Sequence, residues 1–211
     1  PGGAVSPCSF HGACLADETC ACDNNQNSSH VGYWMGTACS SCQNGWYGAN
    51  CSGQCVKDAN GDQCALHGQC SYTLDCICHA NVAQGYWAEP TCQQCKPNYW
   101  GTKCTKQCPG GACNACSNHG TCSDGLAGDG VCTCDSNSTA GFWTGDKCER
   151  CSLSYFGEEC VNRCPIDAQQ NVCYGHGICS EGVRGNGTCI CTTTDTDGFW
   201  GNSVCDNCKL G

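Results

Sequence analysis

Four recurrent Cys-x-x-Cys pairs, one per repeat, carry the most reactive chemistry in this sequence: Cys39/Cys42, Cys92/Cys95, Cys148/Cys151 and Cys205/Cys208. Such a pair can supply two thiolates to a zinc ion, or form a redox-active dithiol with a lowered thiol pKa. Each follows a Cys-x-Cys pair: Cys20/Cys22, Cys76/Cys78, Cys132/Cys134 and Cys189/Cys191. Together the two pairs have passable spacing for a four-thiolate zinc site. A redox dithiol belongs at a helix N-terminus in a globular fold, and no stretch here shows sustained helical periodicity. Four recurrent histidines, His11, His67, His119 and His176, are the other chemical candidates. They have no recurring nucleophile or acid beside them, and neighbours such as "SFHG" and "YGHG" vary. They read as turn residues, and no catalytic residue is assigned. His30 and His79 do not recur.

The elements that must position these residues are constrained by composition. The chain has 31 cysteines in 211 residues, beyond the roughly 8–10% that marks a disulfide scaffold. Ile, Leu, Val and Phe together number only 23, too few to offset chain entropy by burial. Cross-links must supply the order. Cysteines in this number persist as disulfides in an oxidising compartment, which predicts an extracellular protein, secreted or on a cell-surface appendage. No run of 18 apolar residues is present, so no membrane insertion is expected in this segment. No signal peptide is visible, and Pro1 reads as a cut point in a longer precursor. The net charge is −10, from 19 acids and 9 bases without a basic run. Nucleic acid and anionic membranes are poor partners for such a chain.

The sequence repeats with a period of 53 to 57 residues. Between the two cysteine pairs lies Gly-[Tyr/Phe]-Trp-x4-Cys in every copy, at Gly32, Gly85, Gly141 and Gly198. After the second pair comes Cys-x3-aromatic-aromatic-Gly-x2-Cys, in "CQNGWYGANC", "CKPNYWGTKC" and "CSLSYFGEEC". Upstream is Cys-x2-His-Gly-x-Cys, in "CSFHGAC", "CALHGQC", "CSNHGTC" and "CYGHGIC".

Repeat two, complete from Cys55 to Cys104, has eight cysteines. The first six resemble the epidermal-growth-factor-like pattern, and the last two add the extra loop of the laminin-type variant. The resemblance covers the whole chain. It differs in one respect, a first-to-second spacing longer than in many laminin modules. It implies a small disulfide-rich fold: four tandem EGF-like modules of short antiparallel β-hairpins and loops forming an elongated rod. The modules are 1–54, 55–107, 108–163 and 164–211. Spacing alone leaves 105 pairings of eight cysteines open. The family's order, first–third, second–fourth, fifth–sixth and seventh–eighth, implies Cys8–Cys20, Cys22–Cys39 and Cys42–Cys51 in repeat one. In repeat two it implies Cys55–Cys70, Cys64–Cys76, Cys78–Cys92 and Cys95–Cys104. In repeat three the pairs are Cys108–Cys122, Cys116–Cys132, Cys134–Cys148 and Cys151–Cys160. In repeat four they are Cys164–Cys179, Cys173–Cys189 and Cys191–Cys205. An order of this kind fits disulfides far better than zinc thiolates, and no metal or cofactor is expected.

Three cysteines are left unpaired in this window: Cys14, Cys113 and Cys208. "PGGAVSPCSFHGAC" parallels "CPGGACNACSNHGTC", so a cysteine before Pro1 is the expected partner of Cys14. Cys208 similarly lacks its eighth-position partner. We expect a window cut from a longer array. Cys113, at the place of Val5 in repeat one, is extra to the pattern. It is either a substitute for Cys116 in a local rearrangement or a cross-link to another chain or part of the array.

Gly12, Gly68, Gly120 and Gly177 are expected in tight turns at positive φ. Linkers of three residues, "SGQ", "TKQ" and "VNR", predict stacked modules with little freedom between them. Trp34, Trp87, Trp143 and Trp200 are expected to pack on their own disulfides. Tyr47, Trp100 and Phe156, with Tyr155, are placed at the junction to the following module. A carbohydrate-binding aromatic shelf is the lesser reading. Calcium-binding modules of this family carry an acidic cluster before the first cysteine, and the linkers have no acid, so calcium dependence is not expected.

Sequons mark Asn27, Asn50, Asn137 and Asn186 as N-glycosylation candidates, with Asn50 less secure because Cys51 follows it. "CSNHGTC" matches the family's O-fucose pattern at Thr121. Thr192, Thr193, Thr194 and Thr196 are further O-glycan candidates.

The preferred functional reading is non-enzymatic and structural: a glycosylated, disulfide-stapled array acting as a spacer or filament building unit. Its expected partners are copies of itself or other extracellular matrix or surface proteins. The modules look like those of laminins and tenascins, and similar arrays occur in algal mastigonemes and sexually induced surface proteins. The alternative is an adhesion or receptor ectodomain that binds a protein or glycan through one deviant module, with "SDGLAGDG" of repeat three as the best ligand loop. A growth-factor-like ligand is the weakest of the three.

Overall fold

The computed structural model describes residues 6–24 and 32–209. It is a small disulfide-rich fold of tandem EGF-like modules, built from two- and three-stranded antiparallel sheets and almost no helix. Two compact units are present. One runs to Lys96 and takes in Lys103–Thr105; the other holds Pro97–Thr102 and the chain from Lys106 onward.

Fourteen disulfides hold these units. They join Cys8–Cys20, Cys22–Cys39, Cys42–Cys51, Cys55–Cys70, Cys64–Cys76, Cys78–Cys92 and Cys95–Cys104. The others are Cys108–Cys122, Cys116–Cys132, Cys134–Cys148, Cys151–Cys160, Cys164–Cys179, Cys173–Cys189 and Cys191–Cys205. Among the described residues, the buried apolar side chains are cysteines and three tryptophans, Trp34, Trp87 and Trp143. No aliphatic side chain joins them, and several stand in solvent, such as Leu153 at 82% and Ile178 at 76% exposure. The fold has sulfur where a larger domain has leucine.

Repeat three shows how each module is put together. Gly120–Cys122 pairs with Cys132–Cys134, bringing Cys122 opposite Cys132. Ser136–Asn137, Gly141–Thr144 and Arg150–Cys151 form a three-stranded sheet. Tyr155–Phe156 then pairs with Asn162–Arg163, so the linker "VNR" is itself a strand partner. The linker "TKQ" does the same, with Lys106–Gln107 pairing to Tyr99–Trp100. Two residues of pairing in a three-residue link leave it few free dihedrals.

The histidine-flanking glycines are not positive-φ turn residues. Gly12, Gly68, Gly120 and Gly177 each begin a strand, and left-handed φ falls elsewhere. They are needed for close approach. A Cβ on Gly120 would lie 2.5 Å from the Thr133 carbonyl oxygen and 3.0 Å from Cys148 Sγ. The left-handed backbone lies just upstream, at Cys8–Ser9–Phe10, Cys64–Ala65–Leu66, Cys116–Ser117–Asn118 and Cys173–Tyr174–Gly175, with φ between 49° and 75°. Non-glycine residues reach this region at a cost of about 1–2 kcal/mol each. Each turn is closed by the histidine amide donating to the cysteine carbonyl at 2.9–3.0 Å, and the bridged cysteine anchors it.

Candidate functional site

The sequence-level candidates converge on one recurring arrangement, a histidine ring lying flat on a tryptophan. His11 stacks on Trp34, His67 on Trp87, His119 on Trp143 and His176 on Trp200, with centroids 3.4–3.5 Å apart and planes within 9°. The backbone sets this up. The residue after each Cys-x-Cys pair donates its amide to the histidine carbonyl, and its own carbonyl accepts from the tryptophan amide. In repeat three those bonds are Asp135 N to His119 O and Trp143 N to Asp135 O, both 2.9 Å. The indole Nε1 donates to Gln84 O, Ala140 O and Asp197 O in repeats two to four, at 2.7–2.8 Å. His67 Nδ1 lies 3.2 Å from Cys92 O. The histidines are thus the lids of the tryptophan cores. Their sequence signal was recurrence without any catalytic companion.

The Cys-x-x-Cys pairs are divided between bridges. Cys148 bonds back to Cys134, and Cys151 bonds forward to Cys160. Sulfurs do cluster: those of Cys55, Cys64 and Cys76, and those of Cys116, Cys132 and Cys148, lie within 4.8 Å of one another. All six belong to disulfides, and a disulfide sulfur offers a metal no thiolate. Cys14, Cys113 and Cys208 are free and exposed. Four carboxylates titrate below their usual range, Asp17, Asp129, Glu149 and Asp167. All are exposed and held there by local hydrogen-bond donors, chiefly Thr19 for Asp17 and Asn171 for Asp167. A general acid needs the opposite shift.

The junctions differ from the expected pattern in one respect. In repeat three only the second aromatic of the pair, Phe156, turns its ring to the following module, as Trp100 of repeat two does. Tyr155 stacks back on Phe142 of its own module at 4.1 Å, and Trp46 stacks on Tyr33 at 3.6 Å. Phe156 lies over Gly187, where a Cβ would come within 2.3 Å of its ring, and Trp100 lies over Gly130 in the same way. Backbone bonds accompany both. Gly182 N donates to Tyr155 O and Gly157 N to Gly182 O, matching Gly125 N to Tyr99 O and Gly101 N to Gly125 O. A carboxylate completes each junction: Asp124 accepts from Asn98 N and Glu181 from Ser154 N, both at 2.7 Å. The segment "SDGLAGDG" is therefore a receptor for the preceding aromatic loop, not a free ligand loop. "SEGVRGNG" of repeat four repeats it. Repeats one and two have five residues at this place; there Tyr47 pairs with Gly53, and Gln63 Nε2 donates to Gly45 O at 2.7 Å.

This chain is similar to stretches of the stabilins. Over 100 residues it is 38% identical to Stabilin-1 of Mus musculus, over 98 residues 34% identical to Stabilin-2 of Mus musculus, and over 71 residues 41% identical to Stabilin-1 of Homo sapiens. These matches cover 45%, 46% and 33% of this chain, but only 4%, 3% and 2% of the respective relatives. No family model matches. The similarity to the stabilins and the disulfide-rich hairpin fold agree on extracellular EGF-like repeats. Among the described residues, no helix is long and apolar enough to cross a membrane.

Of the glycosylation candidates, Asn50, Asn137, Asn186 and Thr121 are exposed, as are Thr193, Thr194 and Thr196, while Thr192 is half-buried. Asn27 lies outside the described residues. Asn186 Oδ1 accepts from both the amide and the hydroxyl of Thr188, so the two polar residues of that sequon already face each other.

Proposed function

We propose that this chain is a non-enzymatic structural segment of an extracellular protein, a stiff, glycosylated repeat array serving as a spacer or filament building unit. The repeated junction of residues 97–209 carries this reading. At each, an aromatic ring, two backbone hydrogen bonds and a carboxylate bond join consecutive modules. Such nearest-neighbour docking suits a load-bearing array. N-glycans at Asn50, Asn137 and Asn186 would cover exposed polar positions, with Asn27 a further candidate. The relatives are many times longer than this chain, which fits a segment within a larger assembly. Electron microscopy of the native material tests the reading. Regular fibres with glycan density at the sequons are expected; isolated rods bound to a cell-surface protein would sink it.

The alternative is an adhesion or receptor ectodomain, and one observation favours it. Repeat four carries Ile178 directly opposite Ile190 on its first hairpin, 76% and 71% exposed. The same positions are Ala13/Ala21, Gln69/Ile77 and Thr121/Thr133 in the other repeats. An exposed apolar pair in one module of four suits a partner surface.

A further inference from the structure

The first junction is built without the parts that cover the aromatics of the other two. In repeats three and four the receiving loop places a glycine beneath Trp100 or Phe156. It also offers an acid, Asp124 or Glu181, to an amide of the aromatic loop. The receiving loop of repeat two, residues 71–75, contains no glycine, and Tyr72 stands at the place of the acid. This loop curls on itself. Ser71 N donates to Asp75 O at 2.8 Å and Leu74 N to Ser71 O at 3.1 Å, while Thr73 Oγ1 donates to Asp75 Oδ2 at 2.8 Å. Leu74 lies against Gly53 of the linker, where a Cβ would come within 2.5 Å of it. Tyr72 is left 66% exposed.

Beside Tyr47 there is instead an open cleft of 430 Å³, within the range of about 300–1,000 Å³ typical of small-molecule sites. Trp46, Tyr47 and Tyr72 give it aromatic surface, Gln43 and Asn44 give it amides, and no charged side chain lines it. Gln43 Nε2 donates to Trp34 O at 3.2 Å, which leaves Oε1 as an acceptor. Asn44 is exposed, and its side chain has no hydrogen bond among the described residues. Aromatic rings beside uncommitted amides suit a neutral pyranose. Its apolar C–H face packs on a ring, whose face carries partial negative charge. Its hydroxyls can donate to Gln43 Oε1 and exchange hydrogen bonds with the Asn44 amide. An ionic ligand would find no counter-charge in the lining.

We propose that the cleft beside Tyr47 and Tyr72 binds a neutral pyranose unit of a glycan. Two sources present that chemistry. One is an N-glycan of this chain at Asn50, which is exposed, follows Tyr47 by three positions and shares the loop closed by the Cys42–Cys51 bridge. The other is a glycan of another molecule. The proposal goes beyond the array reading, which rests on residues 97–209, so the two fail separately.

Amide and indole NMR of the disulfide-intact chain carrying Asn50→Gln tests it, with chitotriose and mannotriose as probes up to about 10 mM. The Trp46 indole and the Gly45 and Gly48 amides should shift along a saturating curve with at least one sugar, while the Gly130 and Gly187 amides stay in place. Repeat one has Ala16 at the Tyr72 position, so Tyr72→Ala is compatible with the fold; it should weaken binding about tenfold. Asn44→Ala, at an exposed position, should weaken it about threefold. The glycosylated parent separates the sources. Saturation in the Asn50→Gln chain alone means that the Asn50 glycan fills the cleft, and equal saturation in both chains means that the sugar comes from another molecule. Absence of these shifts with both sugars overturns the proposal, as does binding indifferent to Tyr72→Ala. Tighter binding at the same signals by a proline-rich peptide, the other neutral ligand of aromatic-lined grooves, overturns it too.

Discussion

Trp143→Ala is expected to destabilise repeat three by about 3–5 kcal/mol. Trp143 is only 5% exposed and is the one large apolar side chain in a cluster otherwise made of Cys116, Cys148, Cys151 and Cys160. Truncation removes the surface on which His119 lies, the Nε1 bond to Ala140 and the packing around three disulfides at once. The buried neighbours are bridged cysteines, which cannot move in to fill the space, and Val183 is the one aliphatic packed against the cluster among the described residues, so most of the cavity remains. Urea unfolding with hydrogen exchange of residues 108–160 checks this. Those amides should lose protection, while repeat two, which has its own Trp87 core, keeps it. Phe199→Ala is the contrasting case: that ring is 52% exposed, and the expected change is within about 0.5 kcal/mol. Comparable losses from the two variants would remove tryptophan from the centre of the module.

Gly187→Ala should undock repeat four from the loop before it. The new methyl would sit 2.3 Å from Phe156 Cε1 and Cζ, on a backbone held at φ +75°. Overpacking costs about 1–3 kcal/mol, and the left-handed backbone adds about 1 kcal/mol. Since the ring cannot move inward, it must leave. The bonds it shields, Gly182 N to Tyr155 O and Gly157 N to Gly182 O, should then exchange rapidly, while the Gly177–Cys179 hairpin, held by its own bridges, stays protected. Gly182→Ala separates the two contributions. It has a similar φ of +89° but open space around its Cβ, so it should lose only the backbone part. Equal loss in both variants would mean that ring contact contributes nothing to the junction.

Cysteine spacing made most of this fold legible, because a repeat of eight cysteines with invariant Gly-aromatic-Trp leaves few alternatives once a resemblance orders the bridges. The aromatics near the junction were legible for the same reason, although the division of labour between Tyr155 and Phe156 was not. Both are large and apolar, and only the pairing of Phe156 with Gly187 separates them. The left-handed turns were invisible, since Ser9, Phe10, Ala65, Leu66 and Tyr174 have no local preference for that backbone; the bridges and the closing histidine amide impose it. The histidines do close turns with their amides, as their reading as turn residues expects; their stacking was not legible because it depends on a ring 20 to 24 positions downstream. Repeat three's glycine-rich loop looked like a deviation suited to a ligand. Its match in repeat four, with Ser, an acid and three glycines at equivalent places, was the available sign that it serves the neighbouring module instead.

The central claim is that cross-links, not an aliphatic core, hold this chain folded. Removing a native bridge from a small secreted domain costs about 2–5 kcal/mol, and here nearly every buried side chain is a bridged cysteine. The most direct test is near-ultraviolet circular dichroism with amide exchange in strong reductant at neutral pH, without denaturant. The tryptophan signal from the four histidine stacks should vanish, and protection should fall to that of an unfolded chain in all four repeats. Retention of the signal and of slow exchange after complete reduction would contradict the account.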